Sequence, residues 1–209
     1  MHVTAIVPAY NEGPRIGAVL AVLNTCDMID EVVVVDDGST DETFDVASAH
    51  GAHVIKLPIN TGKGGAVAKG LDESPSDVVL FLDADLVGLS TDHVRRLLTP
   101  VMNGDADMTI GIFEEGRAAT DLAQAITPWL SGQRALKRSI LDGMHLEISR
   151  YGLEAVLTRH AKERNLNVVE VKLPRLTHVT KEEKIGPVKG AAMRMRMYWD
   201  VVRSLVHKE

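Results

Sequence analysis

Glu31-Val-Val-Val-Val-Asp36-Asp37-Gly38-Ser39-Thr40-Asp41 is the stretch that decides the fold class. Four consecutive valines lack the alternation of a half-exposed strand, so the run predicts a strand buried on both faces, as in a parallel sheet covered by helices. The polar block after it supplies a turn glycine and helix-capping side chains, and predicts a helix from Thr40 or Asp41 to about His50. The same strand-then-helix rhythm extends outward in both directions. Val3 to Val7 reads as a strand, and Asn11 is placed to cap a helix with Pro14 in its first turn and Ile16, Val19, Leu20 and Leu23 at helical spacing. His53 to Leu57 and Asp77 to Asp83 read as further strands, separated by a helix from Gly62 to Glu73. A helix from Asp92 to Val101 and a strand from Asp107 to Ile112 complete this half. Alternating strands and helices predict an α/β domain with a mostly parallel sheet flanked by helices.

The second half is less regular. Asp121 to Lys137 reads as a helix interrupted at Pro128, Tyr151 to Arg164 as a helix, and Val168 to Leu173 as a strand. Val188 to Val206 reads as a last helix after the Gly186-Pro187 break. The expected organisation is a ligand-binding part over residues 1–115, a smaller part over 116–187, and a C-terminal helix over 188–209.

The 209 residues carry 23 Lys+Arg against 29 Asp+Glu, and this net charge of −6 points away from nucleic acid as a partner. A single cysteine, Cys26, excludes an internal disulfide and suits a reducing compartment. No apolar run is long enough to span a bilayer, and the N-terminus lacks the pattern of a signal peptide. These features predict a cytoplasmic protein, at most touching a membrane surface.

In parallel sheets ligands bind beyond the carboxyl ends of the strands. Three polar clusters fall there: Pro8 to Glu12, Asp36 to Asp41, and Asp83-Ala84-Asp85. Two carboxylates one residue apart point to opposite faces of a strand, but where the chain turns both can approach one cation. Such hard oxygen ligands suit Mg2+ or Mn2+, which in turn bind phosphate oxygens. Of the adjacent acids Asp36 and Asp37, one can accept hydrogen bonds from a base or ribose. Ser39 to Asp41 read as capping residues. The glycine-rich opening Asn60-Thr61-Gly62-Lys63-Gly64-Gly65 offers backbone amides and an ammonium to a phosphate at a helix N-terminus.

The blocks Val7-Pro-Ala-Tyr-Asn-Glu12, Val35-Asp-Asp-Gly-Ser-Thr-Asp41, Gly62-Lys-Gly-Gly65 and Phe81-Leu-Asp-Ala-Asp85, in this order, resemble family 2 glycosyltransferases of the GT-A (Rossmann-like) fold. Ser131-Gly-Gln-Arg134-Ala-Leu-Lys-Arg138 followed by Tyr151-Gly-Leu-Glu154 resembles the acceptor-side block of polyprenyl-phosphate sugar transferases and of glucosyl-3-phosphoglycerate synthases. The resemblance implies a metal-dependent transferase that uses a nucleotide-diphosphate sugar donor. In it Pro8, Tyr10, Glu12 and Asp37 would hold the nucleoside, and Lys63 would lie near the diphosphate or sugar. Asp83 would touch ribose or metal, Asp85 would bind the Mg2+ or Mn2+, and His178 would complete the metal site. Glu154 would be an acceptor-side acid or base, and Arg134 and Arg138 would face an acceptor phosphate. Val87 stands where dolichyl-phosphate mannose synthases carry a Gln near the metal, which raises the weight on His178.

The acceptor stays open between a polyprenyl phosphate and a small phosphorylated acid such as 3-phosphoglycerate, and with it an inverting or retaining outcome. A nucleotidyltransferase and a non-catalytic nucleotide-sugar binder are the rival classes. The Pro8–Glu12 block does not resemble the Arg-containing loop of the first, and the Asp83/Asp85 pair argues against the second. From Lys181 to Glu209 seven Lys/Arg face four Asp/Glu. On the last helix Val188, Ala191, Ala192, Met195, Tyr198, Trp199, Val202 and Val206 share one face, flanked by Lys189, Arg194, Arg196 and Arg203. Such a face can lie on an anionic membrane, or pack on the protein's own body or a second subunit as a homodimer.

Overall fold

The computed structural model describes residues 1–114, 131–144, 146 and 152–178. Seven strands form one sheet in the order β3-β2-β1-β4-β7-β6-β8. They are β1 (Val3–Ala9), β2 (Glu31–Asp36), β3 (His53–Lys56), β4 (Val78–Phe81), β6 (Met108–Glu114), β7 (Arg134–Lys137) and β8 (Val168–Pro174). Strand β1 pairs in parallel with both β2 and β4, β2 with β3, and β6 with β8. Among the described strands of this sheet, β7 alone runs the other way, between β4 and β6. A separate two-stranded ribbon joins β5 (Leu86–Val87) to β9 (Thr177–His178).

The pleat sorts the core into two layers. Val3, Ala5, Val7 and Ala9 of β1 pack with α1 (Gly13–Leu23) and α4 (Thr91–Met102) through Ile16, Leu20, Leu97 and Leu98. Ile6, with Val33, Val35, Val79 and Phe81, packs on the opposite layer with α3 (Lys63–Glu73) and α5 (Leu153–Glu163) through Val67, Leu71 and Leu157. The short α2 (Thr43–Ala49) adds Ala47 to the first layer. Both faces of β2 are therefore covered, as four valines in a row require.

Two expectations are corrected. Residues 134–137 form a strand, not the end of a helix. Arg, Ala, Leu and Lys all favour helix in isolation, but hydrogen-bonding partners on both sides, β4 and β6, override that preference. The rest of the helix expected over Asp121–Lys137 is outside the described residues up to Leu130, as are Tyr151 and the whole Val188–Val206 helix. Asn11 does not cap α1: the N-cap is Glu12, whose side chain makes no capping bond, and the Gly13 amide at the helix start is met by Asp41 from the next loop. The Asn11 carboxamide instead accepts from the Thr40 amide at 2.9 Å.

Gly38 ties the fold to the site. It sits at φ +74°, and a Cβ there would come within 2.8 Å of the Ile59 carbonyl carbon and 2.9 Å of the Asn60 nitrogen. Gly104 has a similar φ of +81° with open space around it. Left-handed backbone alone costs an L-residue about 1 kcal/mol. Gly104→Ala should therefore lower the unfolding free energy by about that much, and Gly38→Ala by at least ~2 kcal/mol. Urea titrations of the two variants compare them, and equal losses would show that the Ile59–Asn60 backbone yields freely.

Candidate active site

The strand order puts β1 between β2 and β4, so the chain leaves β1 to opposite sides and opens a crevice at the carboxyl ends. The three polar clusters meet there. Their loops are bonded to one another. The Asn11 amide donates to Ser39 Oγ at 2.9 Å, the Glu12 amide to Thr43 Oγ1 at 2.9 Å, and the Gly13 amide to Asp41 Oδ2 at 3.1 Å. Asp41 Oδ1 also accepts from the Thr43 amide at the start of α2. Capping is thus only half of what Asp41 does, and Ser39 serves the first loop instead of the helix. Burial pulls the Asp41 pKa upward, but hydrogen bonds from Thr43 and Gly13 outweigh it and hold the carboxyl below its ordinary value.

The two adjacent acids divide their work. Asp37 is buried, and both of its oxygens accept from the loop before α3: Oδ1 from the Thr61 amide at 2.7 Å and hydroxyl at 2.8 Å, Oδ2 from the Gly62 amide at 2.8 Å. Asp36 is also buried; its Oδ1 accepts from the Ser39 amide, while Oδ2 takes no hydrogen bond among the described residues. Pro8 is half-buried on this rim, Tyr10 is 48% exposed, and Glu12 pairs with Arg15 at 3.1 Å.

Asp37 thereby sets the turn that starts α3 at Lys63. Lys63 Nζ lies 2.6 Å from Asp83 Oδ1 and 2.6 Å from Glu154 Oε1. Desolvation works against its charge, but the two carboxylates prevail and raise its pKa well above the ordinary lysine value. The ammonium stays charged at any working pH. Gly132 closes over this pair, where any added Cβ would strike the Lys63 ammonium and the Asp83 carboxylate. Gln133, fully buried, donates from Nε2 to Asp83 Oδ2 at 2.7 Å.

After β4 the chain turns at Ala84–Asp85 before entering β5. The turn lets both aspartates face the same way, as the one-residue spacing requires. Asp83, Asp85 and His178 each offer one ligand atom, all within 4.8 Å of one another. Two ligands at ~2.1 Å from one ion are at most ~4.2 Å apart, so a small contraction closes the group. Two carboxylates and an imidazole fit Mn2+ or Mg2+. His178 reaches this position because β9 pairs with β5, the strand that follows Asp85.

Arg134 is placed differently from what the resemblance implies. It is 1% exposed on β7, with Nε donating to the Ser131 carbonyl at 2.9 Å and Nη2 to Thr158 Oγ1 at 3.0 Å. Desolvation lowers its pKa to about 10, partly offset by the charge of Glu154. Arg138 is partly buried and donates to the Leu71 carbonyl at 3.4 Å. Gln133, Gly132 and Thr61 are the site residues that sequence reading missed. The first two lie inside the Ser131–Arg138 block, but nothing in a lone Gln or Gly reveals a partner some fifty residues away.

The family model "Glycosyl transferase family 2" matches residues 4–161. The chain belongs to glycosyl transferase family 2. Among similar proteins, the glucosyl-3-phosphoglycerate synthase of Mycolicibacterium paratuberculosis is 35% identical over 112 residues, covering 49% of this chain and 34% of that one. The enzyme of the same name from Mycobacterium tuberculosis is 28% identical over 189 residues, covering 73% and 58%. The 4,4'-diaponeurosporenoate glycosyltransferase of Staphylococcus aureus is 37% identical over 100 residues, covering 46% and 27%. The chain thus spans from about a quarter to just under three fifths of the length of these curated relatives. A crystal structure of the M. tuberculosis synthase with Mn2+, UDP-glucose and phosphoglyceric acid matches with a TM-score of 0.77 and 26% identity, over 98% of this chain and 78% of that one. Another, with Mg2+ and UDP, matches with a TM-score of 0.70 and 27% identity, over 85% and 71%. The family's GT-A architecture is the one the sheet displays.

The loop bonds at Asp41 carry a pH signature. Its folded pKa is depressed, so its contribution is complete above the unfolded value of ~3.9 and is lost as pH falls through the folded value. Asp41→Asn, which turns one acceptor into a donor facing an amide, should destabilise the protein by about 1–2 kcal/mol at pH 6 and by less as the pH approaches 3. Denaturant titrations across this range read the difference, and a constant gap would refute the assignment.

Proposed function

We propose that the chain transfers a hexose from a uridine diphosphate sugar, with Mg2+ or Mn2+, to a small phosphorylated acid. The observation that carries this reading is the meeting of Asp83, Asp85 and His178 at the carboxyl end of β4, beside Lys63 at the start of α3. The M. tuberculosis structures, with their UDP-glucose, metal and phosphoglyceric acid, support the donor, cofactor and acceptor classes.

Pro8, Tyr10, Glu12 and Asp37 frame the nucleoside, Asp37 by holding the Thr61–Gly62 turn beneath it. Asp83, Asp85 and His178 hold the cation. When bound, it supplies positive charge to the diphosphate as the sugar departs. Lys63 adds to this from the protein side, exchanging Asp83 for phosphate oxygens. Glu154 then takes the proton of the attacking acceptor hydroxyl. Its Oε1 is paired with Lys63, and it becomes available as a base as Lys63 turns to the donor. Arg134 acts from behind the site, holding Ser131 and lending charge near Glu154, and Arg138, which is partly exposed, is the arginine left to meet an acceptor phosphate.

A second reading, transfer to a lipid acceptor, is favoured by the S. aureus relative and by the basic amphipathic stretch Val188–Val206, which would bring the site to a membrane. Among the described residues no helix is long and apolar enough to cross one. The organisation into residues 1–115, 116–187 and 188–209, and a homodimer through the last of these, belong to the same proposal.

Calorimetry of UDP with Mn2+ and with chelator tests the core of the reading: affinity should depend on the metal. Asp85→Ala should lower transfer from UDP-glucose by more than ~100-fold with an unchanged circular dichroism spectrum. Equal UDP affinity in both conditions would defeat the metal-dependent reading. Product formed with polyprenyl phosphate and not with 3-phosphoglycerate would move the acceptor to the second reading.

A further inference from the structure

Gln133 is fully buried and uncharged, and it stands beside the ion pairs that Lys63 makes with Asp83 and Glu154. A buried carboxamide needs partners for both ends. Its Oε1 accepts from Ser131 Oγ at 3.0 Å, and its Nε2 donates to Asp83 Oδ2 at 2.7 Å. The reverse orientation would press a carbonyl oxygen against a carboxylate, so Asp83 fixes which end of the amide faces it, and the Ser131 hydroxyl supplies the donor that the other end needs. Ser131 is itself held, since its carbonyl accepts from Arg134 Nε at 2.9 Å. The Gln133 backbone is anchored too, its carbonyl accepting from the Gly111 amide at 2.8 Å. Gly111 supplies the room, for a Cβ there would press on the Leu173 and Gln133 side chains. A chain of bonds thus runs from a buried arginine through Ser131 and Gln133 to one oxygen of Asp83, while Lys63 holds the other.

From this we infer that Gln133 is a positioning residue that restricts Asp83 to one-oxygen ligation of the cation and so selects Mn2+ or Mg2+ over Ca2+. The inference rests on the reading that Asp83, Asp85 and His178 hold the cation. Ca2+ takes six to eight oxygens, often both oxygens of a carboxylate, at about 2.3–2.6 Å, whereas Mg2+ requires tight octahedral geometry at about 2.0–2.1 Å. A carboxylate that can swing to chelate with both oxygens serves the larger ion. One whose Oδ2 is pinned by an amide N–H presents a single oxygen in a fixed direction and serves the smaller ones. Outer partners that orient a ligand commonly change metal affinity by about 10- to 100-fold when removed.

The test measures Mn2+ binding in the presence of UDP, from the electron paramagnetic resonance signal of free Mn2+, with Ca2+ as competitor. Wild type, Gln133→Leu and Ser131→Ala are compared at matched folding by circular dichroism. Gln133→Leu should weaken Mn2+ by about tenfold or more and reduce the preference for Mn2+ over Ca2+ by a similar factor. Ser131→Ala, which keeps Gln133 but removes the donor that anchors its carbonyl end, should shift both in the same direction by less, and it carries the test if the leucine variant does not fold. With UDP-glucose the apparent affinity for metal should fall more than kcat does. A merely structural role would lower the melting temperature and leave the ion preference unchanged, and that result overturns the inference alone. Failure of the wild type to bind Mn2+ with UDP overturns the metal-site reading and the inference with it.

Discussion

One ammonium between two carboxylates holds the site together. Lys63 joins the start of α3 to Asp83 after β4 and to Glu154 in the first turn of α5, three points far apart in the chain. The ion pairs are largely withdrawn from water, so each partner gives up hydration that only good geometry can offset. That geometry depends on what surrounds the ammonium. Asp37 fixes the turn that delivers Lys63, Gly132 leaves room for the pair, and Gln133 holds the far side of Asp83. Without the ammonium, Asp83 and Glu154 would face each other with no charge between them.

The arrangement suits a donor that brings both negative charge and a cation. On the proposed reading a diphosphate would take Lys63 and a cation would take Asp83, so these ion pairs are the ones a donor would re-pair. The loops that carry Pro8–Glu12 and Asp36–Asp41 behave differently. Their bonds through Ser39, Thr40, Asp41 and Thr43 are internal, and a ligand can bind without breaking them. Rigid loops beside an exchangeable ion pair keep the ordering cost of binding low.

Much of this was legible in the sequence, for identifiable reasons. Strands β1 to β4 are apolar runs followed by polar clusters, a pattern that depends only on local residues. Asp83 and Asp85 were legible from their place after an apolar strand and in the ordered blocks, since an Asp-x-Asp alone is common; Lys63 was legible from the glycine-rich helix start, and His178 through the resemblance. Strand β7 was hidden because Arg134-Ala-Leu-Lys137 prefers helix until β4 and β6 pair with it. The division between Asp36 and Asp37 was hidden because it depends on where Thr61 and Gly62 return. Arg134 was expected to face an acceptor phosphate, since burial of a charged side chain leaves no trace in its immediate neighbours along the chain.

The reversed strand has a consequence for how the protein is made. Until Lys137 has emerged from the ribosome, β4 has β1 on one side and nothing on the other, and Val78-Val-Leu-Phe81 is buried throughout in the finished fold. At about 5–20 residues per second, the stretch from Phe81 to Lys137 takes several seconds to synthesise. For that interval the nascent chain carries an open, wholly apolar strand edge, the kind of surface that recruits a neighbouring chain. A messenger truncated anywhere in this stretch would yield a fragment with most of the nucleotide-side loops and a permanently adhesive edge, so the small antiparallel strand guards the first half of the protein against aggregation as well as completing its sheet.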